Sequence, residues 1–289
     1  MGDLAGPLVS TAWLAGRLGA DRLCIVDATW FMPDDARDAW AEHAAAHIPG
    51  AVFFDIDGIA DHATGLPHMA PDPATFAAAL RDLGIGAGAC VVVYDAQGMF
   101  SAPRVWWTFR LMGWRDVAVL DGGLPKWRAE GHPVIAGATH THTAPPPMFA
   151  PDSSPDPSLV RNGAQVAQAM HDGSALILDA RPPGRFRGEA AEPRPGLRGG
   201  HIPGSLNLPF AEVLAADGTM KSPGELRAVF ERAGLDPDRP VITTCGSGIT
   251  AAILFLALAR AGVGDVSLYD GSWAEWGLPS DLPVAQGAS

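Results

Sequence analysis

The chain has 289 residues, of which 47% are apolar and 18% charged, a balance that supports packed domains and excludes a disordered chain. Its formal charge of −12, with no Lys/Arg-rich stretch, repels phosphate backbones and anionic lipid, so neither nucleic acid nor a membrane is an expected partner. It has no apolar run of about 18 residues and no basic region before the apolar residues of Met1 to Ala20; its three cysteines cannot form a disulfide framework. A cytoplasmic protein is expected.

In chain order, short apolar runs that read as buried strands alternate with helical patterns. Ile25-Val26, within CIVDA, is the first strand, and FAAALRDL (76–83) has helical spacing. Val91-Val92-Val93 and Val117-Ala118-Val119-Leu120 follow as strands with apolar residues on both faces. A Pro-, Thr- and Ser-rich stretch then reads as a linker. Its His140 and His142 have no third ligand spaced nearby and read as solvated polarity, not as a metal site. Beyond it come LILDA (176–180), the helical ELRAVFERA (225–233), and the strand VITT (241–244) running into Cys245 and a long apolar helix.

The second series repeats the first. CIVDA recurs as LILDA, and His47-Ile48-Pro49-Gly50 recurs as His201-Ile202-Pro203-Gly204. VVVYDAQGMFSA (91–102) aligns with VITTCGSGITAA (241–252), and Asp121-Gly122-Gly123 with Trp127 aligns with Asp270-Gly271-Ser272 with Trp276. Four matches in one order, at offsets between 149 and 154 residues, mark a tandem duplication. The expected organisation is a domain over 1–140, a linker over 141–157 and a second domain over 158–289. Each domain is expected to be α/β, a mostly parallel sheet flanked by helices.

Cys24 and Cys90 lie in apolar runs and read as small buried hydrophobes. Cys245 lies where a strand gives way to a helix, the usual place for a site in an open α/β sheet. Gly246 and Gly248 let the backbone curl so that successive N–H groups face one point. The helix N-terminus adds partial positive charge there, an environment that favours a reactive thiolate and would cradle a persulfide anion.

CGSGITA, the doubled HIPG, YDAQGMFSAPRVWW (94–107), DGGLPKW (121–127) and YDGSWAEW (269–276) resemble the rhodanese superfamily, over nearly the whole chain from Leu8 to Pro283. The resemblance implies a sulfurtransferase whose second domain carries sulfur on Cys245 and whose first domain is silent, since Asp95 stands at the cysteine position. It implies 3-mercaptopyruvate as donor: Gly246 and Ser247 are neutral where thiosulfate users carry basic residues, and Arg185 and Arg194 match the pair that holds a carboxylate. Gly246, Gly248, Ile249 and Thr250 complete the substrate loop, with Thr250 expected to cap the following helix. By the same resemblance Ser247 works with a histidine and an acid from the first half, expected to be His47 and Asp38. His201 reads as a turn residue, Asp55 and Asp57 as structural, and the tryptophan pairs as packing. The acceptor is expected to be thioredoxin, a small thiol or cyanide, with no metal or organic cofactor.

Three other readings compete. A thiosulfate sulfurtransferase would use the same fold. A cysteine phosphatase needs an arginine six residues after the cysteine, where this chain has Ala251. A non-catalytic interaction module would not need an intact Cys245 loop.

Overall fold

The computed structural model describes residues 4–137 and 155–288. The greater part of the expected linker, with His140 and His142, lies outside them. The chain divides into two compact units, and the division does not follow chain order. Unit 1 comprises Met1–Ala60, Pro71–Asp156 and Ala216–Met220; unit 2 comprises Asp61–Ala70, Pro157–Ala215 and Lys221–Ser289. Each therefore includes a short segment from the other half of the sequence.

Unit 1 is built on strands β1 (Leu8–Val9), β2 (Leu23–Asp27), β3 (Ala51–Phe53), β4 (Cys90–Tyr94) and β5 (Val117–Leu120). They pair in the order β1-β5-β4-β2-β3, every pairing parallel. Helices α1 (Thr11–Ala15), α2 (Ala39–Ala45), α3 (Ile56–Ile59), α4 (Pro73–Asp82), α5 (Ala102–Leu111) and α6 (Gly123–Ala129) accompany the sheet. Val91, Val92 and Val93 are fully enclosed, which is why β4 reads as an unbroken apolar run. Leu23 stands opposite Cys90 and Cys24 opposite Val91. Side chains alternate along a strand, so the two cysteines point to opposite faces and cannot bridge.

Unit 2 repeats the plan with β6 (Val160–Arg161), β7 (Leu176–Asp179), β8 (Leu206–Asn207), β9 (Val241–Thr244) and β10 (Val266–Tyr269), in the order β6-β10-β9-β7-β8. All its pairings are parallel. Its helices are α7 (Gly163–Asp172), α8 (Pro183–Phe186), α9 (Pro223–Arg232), α10 (Ala251–Ala261) and α11 (Ser272–Trp276). The doubled α/β architecture read from the sequence is borne out. Trp106 and Trp107 in unit 1, and Trp273 and Trp276 in unit 2, are buried packing residues.

Two helices start earlier than their apolar spacing predicts. In α4 the Asp72 side chain accepts from the N–H groups of Ala74 and Thr75 and Pro73 occupies the first turn. In α9 Ser222 and Glu225 form a reciprocal capping box around Pro223. Caps and a preset proline φ, not the first apolar residue, begin these helices.

The segments taken from the other half are pinned in matching fashion. In unit 1 the Met220 N–H donates to Asp121 Oδ1 at 2.8 Å. In unit 2 the Ala70 N–H donates to Asp270 Oδ2 at 2.8 Å. Asp121 and Asp270 open the repeated Asp-Gly motif, so the duplication extends to the way each unit holds its borrowed strip.

Candidate active site

In unit 2, β9 delivers Cys245 to the mouth of α10, and Cys245 is 2% exposed. The Gly248 N–H donates to Cys245 Sγ at 3.1 Å, a contact made possible by Gly248 at φ +83°. The loop is fixed from behind by α11. Trp273 N–H donates to the Cys245 carbonyl at 3.0 Å and Ala274 N–H to the Gly246 carbonyl at 2.8 Å. Ser272 Oγ accepts from the Cys245 N–H at 3.3 Å and donates to the Tyr269 carbonyl at 2.8 Å.

Thr250 does not cap α10. Its backbone is already helical, at φ −77° and ψ −18°, and its side chain makes no capping bond. A capping side chain needs an extended backbone to reach back over the first turn.

Unit 1 carries the matching loop. There β4 runs into Asp95, which is fully buried. Its Oδ1 accepts from Gln97 N–H at 2.8 Å. Its Oδ2 accepts from Phe100, Ser101 and Ala102 N–H at 2.8, 3.0 and 2.9 Å. Burial pushes this carboxyl above its ordinary range while the four N–H bonds oppose the shift. By the repeat, Gln97, Phe100, Ser101 and Ala102 match Ser247, Thr250, Ala251 and Ala252. The unit 2 loop differs: Cys245 Sγ accepts from Gly248 N–H, and Ala252 N–H donates instead to the Ile249 carbonyl at 3.2 Å.

Of the two arginines, Arg185 stands beside the loop. Arg185 donates through Nε and Nη2 to Glu192 Oε2 at 3.1 and 2.5 Å. A Cβ at Gly246 would lie 3.0 Å from Arg185 Nη2, so glycine at 246 makes room for the guanidinium. Arg194 Nη2 lies 3.1 Å from His68 Nε2. Arginine only donates, so Nε2 accepts and the ring proton sits on Nδ1.

Sequence reading passed over His68. It is 6% exposed, belongs to the Asp61–Ala70 segment of unit 2, and holds φ +59°. Its counterpart in the repeat is Gly218, at φ +79°. The left-handed backbone is thus kept while glycine is replaced by an imidazole, at a conformational cost.

His47 and Asp38, the expected relay, belong to unit 1 and have local tasks. Asp38 Oδ1 accepts from Ala41 N–H at 3.0 Å and caps α2. His47 is fully buried, pairs its backbone with Ile135, and donates from Nδ1 to the His43 carbonyl at 2.8 Å. His201 does the same work in unit 2, pairing with Ala285 and donating to the Phe186 carbonyl at 2.8 Å. The two HIPG histidines are one scaffold element used twice.

Burial lowers the pKa of His47 from its ordinary 6.5. As pH falls below that value the unfolded chain takes a proton that the folded state refuses, so stability present above it is lost. The unfolding temperature should drop between about pH 7.5 and about pH 5.5, and drop less in His47→Asn. Equal drops would show that His47 is not held neutral.

Residues 10–130 and 162–278 each match the rhodanese-like domain. The chain belongs to the rhodanese family. This rhodanese is 44% identical over 277 residues to the 3-mercaptopyruvate sulfurtransferase of Escherichia coli K12, covering 96% of each chain. It is 42% identical over 280 residues to that of Homo sapiens, covering 95% of this chain and 93% of the relative. The thiosulfate sulfurtransferase of Mus musculus is 42% identical over 292 residues, covering 98% of this chain and 96% of the relative. Among solved structures, SseA from Escherichia coli superposes with a TM-score of 0.82 at 41% identity, over 93% of this chain and all of the other. Tum1 from Saccharomyces cerevisiae gives 0.90 at 32% identity, over 98% and 99%. Among the described residues no helix is long and apolar enough to cross a membrane.

Proposed function

We propose that this rhodanese takes sulfur from 3-mercaptopyruvate onto Cys245 and passes it to a thiol, thioredoxin or a small thiol, or to cyanide. The observation that carries the reading is Arg185 seated against Gly246, one residue from the nucleophile. A guanidinium there pairs with a carboxylate through two hydrogen bonds. The neutral Gly246 and Ser247 leave the loop without the countercharge that thiosulfate would need.

The Cys245 thiolate attacks the donor sulfur, forming the S–S bond. The donor C–S bond breaks, and its electron pair stays on carbon as the enolate of pyruvate. Backbone N–H groups of the loop stabilise the charge on sulfur, and Ser247, Gly248, Ile249 and Thr250 shape the cradle. The enolate then takes a proton. His68, beside the carboxylate-holding Arg194 and in the unit that carries Cys245, is assigned to that proton path in place of His47. The acceptor's attack on the outer sulfur restores Cys245. The first half, with Asp95 in its loop, is silent, and a cytoplasmic location fits the acidic, cysteine-poor composition.

The test is steady-state sulfur transfer with each donor, on wild type and Arg185→Ala. The 3-mercaptopyruvate preference should be at least about tenfold, roughly 1.4 kcal/mol of transition-state preference, and Arg185→Ala should erase it. Equal or better use of thiosulfate would replace this reading with thiosulfate sulfurtransferase.

A further inference from the structure

Behind Arg185 runs a buried ladder of four charges. Arg181, 1% exposed, donates through Nε and Nη2 to Asp179 at 2.6 to 3.1 Å and through Nη2 to the Gly200 carbonyl at 2.9 Å. Its Nη1 donates to Glu192 Oε1 at 2.8 Å, and its guanidinium lies 4.1 Å over the Trp273 ring. The Glu192 side chain is 2% exposed. Its other oxygen, Oε2, takes both bonds from Arg185, whose side chain is 19% exposed. Arg185 is the one partly open rung.

The fold does not require this ladder. In unit 1 the same strand-end turn is made by Asp27 and Thr29, with Thr29 N–H donating to Asp27 Oδ1 at 3.0 Å. In unit 2 Arg181 N–H donates to Asp179 Oδ1 at 2.9 Å, and the arginine side chain is added to a turn that closes without it. The ladder is present in the unit that has the cysteine and not at the matching turn of the unit that lacks it. Buried ion pairs contribute little net stability compared with packed apolar groups, while a guanidinium held on two bonds has a fixed edge.

We infer that Glu192, locked by Arg181, is a positioning residue that fixes Arg185 against Gly246 and thereby selects a carboxylate-bearing sulfur donor. The inference rests on the donor assignment above. Without Glu192 the Arg185 side chain would sample several rotamers, and the donor carboxylate would meet its partner in only a fraction of them. The chemistry at Cys245, which does not touch Glu192, would proceed as before once donor is bound.

Glu192→Gln is the discriminating variant. An amide that keeps its oxygen toward buried Arg181 turns its NH2 toward Arg185, so donor faces donor and the link to Arg185 is cut while the Arg181 bond remains. The expected result is a KM for 3-mercaptopyruvate raised about tenfold with kcat within about twofold, and thiosulfate kinetics unchanged. Adding Glu192→Gln to Arg185→Ala should change nothing further, because the residue acts through Arg185. An unchanged KM in a folded variant would overturn the inference. So would equal losses with both donors alongside a lower unfolding temperature, the mark of a purely structural role.

Should Glu192→Gln not fold, Gly246→Ala tests the same fixity from the loop side. A methyl there presses on a guanidinium that cannot retreat, and the 3-mercaptopyruvate KM should again rise. An unaffected KM would mean that Arg185 is free to move, and the inference falls. Wild-type protein that does not use 3-mercaptopyruvate would instead sink the donor assignment on which the inference stands.

Discussion

Cys245→Ser is expected to abolish sulfur transfer from 3-mercaptopyruvate and from thiosulfate alike, by at least about 10⁴-fold, or roughly 5.5 kcal/mol of barrier. A serine oxygen in the same loop accepts the Gly248 N–H as Sγ does, so the fold should survive. What is lost is the S–S bond, which oxygen cannot form. Two readouts make the case: pyruvate released per turnover, and the intact mass of protein treated with donor and no acceptor. Wild type should gain the mass of one sulfur and Cys245→Ser none. Retained transfer in Cys245→Ser would leave Cys24 or Cys90 as carrier, whereas no transfer even in wild type would leave the chain as an interaction module.

The second large effect is expected in unit 1, on stability. Asp95→Ala removes the acceptor for the N–H groups of Gln97, Phe100, Ser101 and Ala102. Four stranded donors at a buried loop should cost about 3 to 5 kcal/mol, less than the separate penalties because water enters the gap. The transition of that unit should fall by roughly 10 °C. Asp95→Asn should recover most of the loss, since its amide oxygen can take the three bonds now made to Oδ2 and its NH2 meets only the Gln97 N–H. A loss below about 1 kcal/mol would mean that the backbone holds itself in this curl, and the carboxylate is incidental.

Much of this was legible before any coordinates. The repeat identified both sheets, because buried parallel strands must be apolar on both faces and Val91-Val92-Val93 and Val117-Ala118-Val119-Leu120 are. The Cys245 loop was legible because glycine spacing and a following apolar helix are local features. His68 was not, since it sits in a stretch with no periodicity and its value depends on which unit that stretch joins. A signal was nonetheless available. In a duplicated chain, scaffold residues keep their counterparts, and a residue given a task in only one unit loses its own. His47 is matched by His201, whereas His68 is matched by Gly218. Glu192 escaped for another reason: its partners Arg181 and Arg185 lie eleven and seven residues away, and nothing in that spacing marks a buried pair. Thr250 misled because a hydroxyl residue before a helix caps it only when its backbone is extended.

The exchange of short strips between units bears on how such a gene could be cut or recombined. A break at the proline-rich linker looks like the natural seam between two cassettes. Yet residues 61–70, with His68, are encoded upstream of it and belong to the unit that carries Cys245, while residues 216–220 are encoded downstream and belong to the other. A polypeptide started at the linker would have Cys245 and the arginines and still lack the strip pinned to Asp270. With these strips exchanged, neither half is a finished part to be inherited, swapped or expressed alone, and the two are bound to a single reading frame by two short strips rather than by the linker that joins them.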